Sequence, residues 1–402
     1  MKRFTLKYGL LLLAIVCQLS MYAQQNSFEL PKDSADNWQV SLITCGPGVE
    51  IFNRFGHSAI RLRNEQQGID IIYNYGIYSF NTPNFALKFA MGETDYRLGI
   101  QNYQDFVAWY EYCNRDVWEQ VLNLSFEGKN MLIALLNENY KPQNRYYRYN
   151  FLYDNCATRP RDLIEKCLQG RLQYADDMIA TDTGETFRSI VHQFTKNNAW
   201  AQFGIDLILG SEADKPISKR AMMFIPFYLK EYFETATIEP GDEALVSESK
   251  QPVVIPAAAK EYYDTPFTPF RCALFLFIVT TALTIYGIRS RKSLWVFDLL
   301  LFFAAGITGC LLTVITLFSQ HPTVSPNYLL LLFQPLHLIL LPWFIRKVKK
   351  MQTSRYLAIL AIELVLLIIF WALIPQQFPF AVLPLALCLL VRCISNWLLS
   401  KR

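Results

Sequence analysis

Charge is scarce in this chain. Of its 402 residues only 18% are Asp, Glu, Lys or Arg, where soluble globular proteins carry about a quarter. With 52% hydrophobic residues the chain is too apolar to stay disordered. Histidine occurs at four positions only, and the nine cysteines form no CxxC pair. There is no HExxH, so a zinc site would have to rest on carboxylates, and no metal or soluble cofactor is expected. The 17 Gly and 19 Pro follow no collagen-like period. Positive charge is also missing where a nucleic-acid binder would concentrate it. Residues 24–268 carry 23 Lys/Arg against 32 Asp/Glu, a net of −9, and no nucleic-acid partner is expected. Residues 269–402 reverse the balance, with 12 Lys/Arg against Asp298 and Glu363. These absences leave an acidic soluble part joined to a membrane part.

What is present begins with a leader. Lys2, Arg3 and Lys7 precede the apolar run 10–16, and Ala23 is followed by the polar Gln24-Gln25-Asn26. That order is a signal peptide cleaved after Ala23, with a short uncleaved anchor as the alternative. Lipidation of Cys17 is not expected, because Val16 before it is larger than the small residue such signals normally need. Five apolar stretches close the chain, at about 273–288, 294–318, 329–345, 357–374 and 380–399. The loops between them alternate in charge. Arg289–Lys292, Arg346–Lys350 and Lys401-Arg402 are basic, while 319–327 and 375–379 are not. The positive-inside rule places the basic loops in the cytoplasm. Residues 24–268 therefore lie outside the cytoplasmic membrane, as the leader also requires. Within the spans, Asp298 and Arg392 are read as lying near helix ends or interfaces, where snorkelling is inexpensive. Glu363 and His337 sit deeper, either at a functional point or in an interhelical hydrogen bond.

The exported part reads as α+β, with helices against an antiparallel sheet. Residues 38–44 alternate as a strand, and 58–63 with 69–75 form a hairpin around the turn 64–68. Residues 81–93 and 101–120 look helical in patches, 127–140 is an amphipathic helix, 146–153 a strand, and helices follow near 160–168 and at 185–197. The domains expected are 1–23 as leader, 24–265 as a periplasmic domain and 266–402 as a transmembrane domain of five helices.

Two segments look over-specified: Asn53-Arg-Phe-Gly-His57-Ser, which enters a strand, and Tyr153-Asp-Asn-Cys156-Ala-Thr-Arg-Pro-Arg-Asp162, which enters a helix. Thiol catalysis needs a cysteine activated by a helix N-terminus or an adjacent imidazole held on a rigid support. Cys156 at a helix entrance and His57 at a strand entrance supply both. Pro160 suits the first helical turn, so the helix can begin at Thr158. The competing readings of Cys156 are a buried core thiol and a disulfide with Cys167, and Cys45–Cys113 is another possible pair. His192 is read as structural. Asn74 is the candidate third member of the site, with Tyr73, Tyr75 and Asp70 as rivals; the strand period puts Asn74 on the opposite face from both tyrosines. Asn155 either builds the turn or holds an oxyanion. Arg159 and Arg161 either meet a lipid phosphate or pair with Asp162 and Glu165 on a solvated face. Tyr75 and Tyr153, among the tyrosines at 146, 147 and 149, either floor an acyl groove or pack as core.

The blocks 53–62, 73–80 and 153–164, with the order of leader, soluble domain and five spans, resemble the Lnb family of Bacteroidota inner-membrane proteins, described as lipoprotein N-acyltransferases. Phe-Gly-His-Ser and Asp-Asn-Cys-Ala-Thr-Arg are the most specific pieces. The order of histidine before cysteine is also similar to permuted papain-like enzymes of the NlpC/P60 and lecithin–retinol acyltransferase group, a fold-level analogy. The resemblance implies Cys156 as nucleophile and His57 as base. It further implies membrane phospholipid as acyl donor and diacylated lipoproteins as acceptors, and it leaves the third residue open. The same pair would also serve a thiol phospholipase or cell-wall peptidase that uses water. A non-catalytic membrane adaptor or lipid-binding protein, with Cys156 structural, is the alternative from another class.

Overall fold

A computed structural model describes residues 30, 36–78, 83–181, 183–255 and 265–401; the expected leader lies outside them. The chain forms two compact units. The first takes residues 1–83, 94–178 and 220–260, the second 84–93, 179–219 and 261–402.

The first unit is α+β, as its alternating segments predict. Its sheet contains β1 (Trp38–Cys45), β2 (His57–Asn64), β3 (Ile69–Ile77), β4 (Asp95–Asn102), β5 (Val117–Leu122), β6 (Tyr146–Arg148) and β7 (Val246–Val253). The order across it is β7-β5-β1-β2-β3-β4-β6, and every neighbouring pair is antiparallel. Four helices matter for the site: α1 (Tyr103–Tyr112), α2 (Phe126–Tyr140), α3 (Thr158–Leu168) and α4 (Pro226–Glu234). Side chains alternate across each strand, so each face has its own partner. On one face Ile43, Cys45, Ala59 and Ile72 pack with Phe106 and Tyr110 of α1. On the other, Tyr73 and Tyr75 reach the α2 residues Asn137 and Asn139.

Two expectations change. Only 103–112 of the stretch 101–120 is helical. Asn114 at φ +53° ends that run, and Val117–Leu122 then pairs between β1 and β7. The strand expected over 146–153 stops at Arg148, because Asn150 Oδ1 accepts the N–H groups of Leu152 and Tyr153 and folds the chain into a turn.

In the second unit three helices are long and apolar enough to cross a membrane: Pro269–Ser290, Trp295–Phe318 and Val382–Ser400. The third apolar stretch is divided into short helices, Pro335–Ile339 and Leu341–Lys349, each with a proline in its first turn. The fourth forms Arg355–Ile369, 15 residues long, or about 22 Å at 1.5 Å per residue. Asp298 and Arg392 do not snorkel. They are buried and form a two-pronged pair at 2.5 and 2.9 Å, with Thr284 accepting from the same guanidinium. His337 bridges Tyr356 and the Leu332 carbonyl, and Glu363 accepts from Gln334. Both fit the structural alternative.

Residues 179–219 are tied into this unit through a buried arginine. Arg188 donates to Asp206 at 2.9 Å, to Asp214 at 2.8 Å and to the Leu209 carbonyl at 2.9 Å. His192 shares Asp206 with it at 2.8 Å. A cavity of about 1070 Å³ opens beside this network, with His192, Asp206, Phe203, Phe270, Tyr328 and Trp371 among its walls.

Candidate active site

The site is built where the sheet changes register. His57 is the first residue of β2 and lies opposite Cys45 of β1. Asn74 occupies the adjacent strand β3 on the face shared with Ile72. Its Oδ1 is 2.7 Å from His57 Nε2. A carboxamide oxygen only accepts, so Nε2 carries the proton and Nδ1 keeps its lone pair. The β3–β4 pairing then shifts between Asn74 and Ile77. Gly76 in that bulge has φ +96°, and a Cβ there would lie 3.6 Å from Cys156 Cβ and 3.8 Å from His57 Cε1. The bulge therefore places a side-chain-free backbone position next to both the thiol residue and the imidazole.

Cys156 sits just before α3, whose first residue is Thr158 and whose third is Pro160. The turn that presents it is held by Asn155. The Asn155 Oδ1 accepts the N–H groups of Ala157 and Thr158, and its Nδ2 donates to the carbonyls of Phe151 and Phe224. All its amide capacity is spent on the turn, so of its two sequence readings it builds the turn and holds no oxyanion. The N–H groups that do point at the sulfur are those of Ser58 and of Cys156 itself.

Burial sets the charges. It pushes the Cys156 thiol up to about 11, against the opposing pull of those N–H groups and of Arg115. Burial likewise drives His57 down to about 4, against the hydrogen bond it donates to Asn74. At neutral pH the pair is a thiol beside a neutral imidazole. All the described cysteines are free thiols, so neither Cys156–Cys167 nor Cys45–Cys113 is a disulfide here.

The remaining candidates divide. Arg159 forms a two-pronged pair with Asp154 at 2.6 and 2.8 Å and lies 3.6 Å over the Tyr147 ring. Arg161 is buried, bonded to Asp162 and to the Arg220 carbonyl, and braces α3. Tyr75 is fully buried, with its hydroxyl accepting from Asn139 at 2.8 Å. Of its two readings, Tyr75 takes the core packing one. Tyr153 is 49% exposed. Tyr147 and Tyr149 are buried near the thiol, and Tyr149 packs 4.0 Å from Tyr96. Of the candidates, then, the structure brings together Cys156, His57 and Asn74.

Two residues of the site carry no sequence signal. Tyr110 stacks on His57 at 6.5 Å with 12° between ring planes. Arg115 lies 4.6 Å over the Tyr110 ring and donates to the Gly46 carbonyl at 2.8 Å. An arginine in a turn after a helix reads as solvated, and only the tertiary fold buries it.

Residues 25–193, which contain His57, Asn74 and Cys156, match the model of the Lnb N-terminal periplasmic domain. Residues 260–402 match that of the Lnb transmembrane domain. The chain belongs to the Lnb family. Neither a curated protein nor a solved structure matches it. Family membership makes the first of these regions periplasmic and the second a membrane domain, in agreement with the three apolar helices.

Proposed function

We propose that the chain is a lipoprotein N-acyltransferase of the inner membrane. The carrying observation is the Asn74–His57 hydrogen bond, which leaves Nδ1 free as a base beside Cys156. His57 takes the thiol proton as sulfur attacks an ester carbonyl of a membrane phospholipid. The N–H groups of Ser58 and Cys156 stabilise the oxyanion. The lysophospholipid leaves with the proton from His57, and Cys156 holds the acyl chain as a thioester. The free α-amine of a diacylglyceryl-cysteine lipoprotein then attacks that thioester, and the thiol is regenerated. Arg159, which is only partly buried, is the candidate contact for the donor phosphate, with Tyr153 beside the same turn.

The finer parts of the reading belong with it. The exported part runs over 24–265 with a permuted papain-like fold, the membrane part over 266–402 as five spans, and the C-terminus is cytoplasmic. Intact mass spectrometry of a reporter lipoprotein tests the activity, in cells lacking this protein and complemented with wild type or Cys156→Ala. Wild type adds one amide-linked acyl chain, and the alanine variant at equal expression adds none. Addition by both removes Cys156 as nucleophile. Addition by neither removes the lipoprotein acceptor and favours a hydrolase or an adaptor.

A further inference from the structure

We propose that Arg115 is the counter-charge for the anion that forms at Cys156, a positioning residue that holds the thiolate and the oxyanion after it. Six arginines are buried among the described residues. Arg61, Arg161, Arg188 and Arg392 each meet a carboxylate. Arg115 meets none: its Nε is taken by the Gly46 carbonyl, and its buried Nη2 has no hydrogen-bond partner among the described residues. Arg54 is likewise without a carboxylate, but only Arg115 is fixed against a ring that stacks on His57. A buried guanidinium without an anion is costly, and a fixed cation near a reacting thiol stabilises the negative charge that develops there.

Its position is over-determined. The Arg115 N–H donates to the Tyr110 carbonyl, and Gly46 N–H donates to the Asp116 carbonyl, which joins the end of β1 to the start of β5. Gly48 lies alongside: a Cβ there would be in van der Waals contact with Arg115 Cδ at 3.4 Å and would clash with Asn53 Cβ at 2.8 Å. Cys45, next to Gly46, is the register partner of His57. The other titratable groups around the thiol are Cys45, His57, Tyr96, Tyr110, Tyr147 and Tyr149. All are neutral at working pH, so Arg115 is the cation of this set. The adjacent carboxylate, Asp116, accepts from the Ile255 N–H.

The inference rests on Cys156 as the nucleophile, and its test reads the thiol, not acyl transfer. The full-length chain in detergent is alkylated with iodoacetamide at pH 9, and modification of the Cys156 peptide is followed by mass spectrometry. Below the thiol midpoint the rate tracks the thiolate fraction, about tenfold per pKa unit. Arg115→Gln slows alkylation at least about fivefold, and Arg115→Lys stays within about twofold of wild type. A folded Arg115→Gln chain that reacts at the wild-type rate overturns the proposal. Equal slowing in both variants overturns it too, because geometry and not charge would then be at work. Should Arg115→Gln fail to fold, Cys156→Asp is compared with Cys156→Asn by thermal melting. A carboxylate at this buried point then melts no lower than the amide, whereas a midpoint lower by several degrees shows no counter-charge. A wrong acyl acceptor would leave every one of these readings unchanged.

Discussion

At the scale of single residues, burial decides which proton moves. His57 is held neutral because an imidazolium would lose its hydration, and its value of about 4 lies below the ordinary 6.5. A lowered value means that the neutral base persists to lower pH, so the acid limb of catalysis belongs near 4, not 6.5. Single-turnover acylation of Cys156 by phospholipid should therefore be level from about pH 6 to 9 and fall only below about pH 5. A limb centred near 6.5 would mean an exposed histidine. Asn74→Ala frees the ring to turn, and misplacement of this size costs about 10²-fold in that rate. Tyr75→Phe acts differently. It removes the acceptor of the half-buried Asn139 amide at a cost of about 0.5–1.5 kcal/mol in stability, with turnover of the folded fraction unchanged. The contrast reflects how the residues were legible. Cys156, His57 and Asn74 could be read because helix entrance, strand entrance and strand parity are local properties. Arg115 and Tyr110 reach the site only through the pairing of β1 with β5, which no local pattern encodes.

At the scale of elements, the sheet is fastened by a charge in its interior. Arg61 on β2 bonds Asp70 on β3 at 2.8 and 2.7 Å and Glu119 on β5 at 2.9 Å, with Tyr103 of α1 over its guanidinium at 3.4 Å. Three strands and one helix meet at one side chain. Arg61→Met leaves Glu119, which is 2% exposed, without its cation, and should cost about 3–5 kcal/mol in the unfolding of the first unit. Adding Glu119→Gln should restore part of that, because the orphaned charge is then gone. A single variant that melts like wild type would show the network to be inert. The same residues explain which strands were legible. In the hairpin of β2 and β3, Ile60 and Leu62 alternate with Arg61 and Arg63 before a polar turn, and it formed where expected. The strand β5 puts Glu119 and Gln120 in the interior, and β7 is Val-Ser-Glu-Ser-Lys-Gln-Pro-Val with mostly exposed side chains. Neither carries the apolar period that marks a buried strand.

At the scale of the whole molecule, the chain passes between its two units at 83/84, 93/94, 178/179, 219/220 and 260/261. The segment 179–219 is therefore not free to fold with the sheet alone. Gly210 N–H donates to the Thr323 carbonyl, Ser211 N–H to that of Pro326, and Asn327 and Gln376 reach back to the carbonyls of Leu207 and Leu209. Segment 84–93 is held the same way, through His321 on the Phe89 carbonyl and Ser319 on that of Ala90. A chain ending at residue 265 loses every one of these partners and leaves buried backbone groups unpaired. Such a truncation should expose 84–93 and 179–219 to protease at concentrations that leave the full-length chain intact in detergent, and it should lose thiol-dependent acylation. A soluble cell-wall peptidase with the same Cys156–His57 pair would instead survive truncation as a compact, active fragment. Protease mapping of the two forms, with peptides assigned by mass spectrometry, separates these outcomes. Resistance of 179–219 in the shortened chain would show that this segment folds without residues 266–402, and would return the peptidase reading to the front.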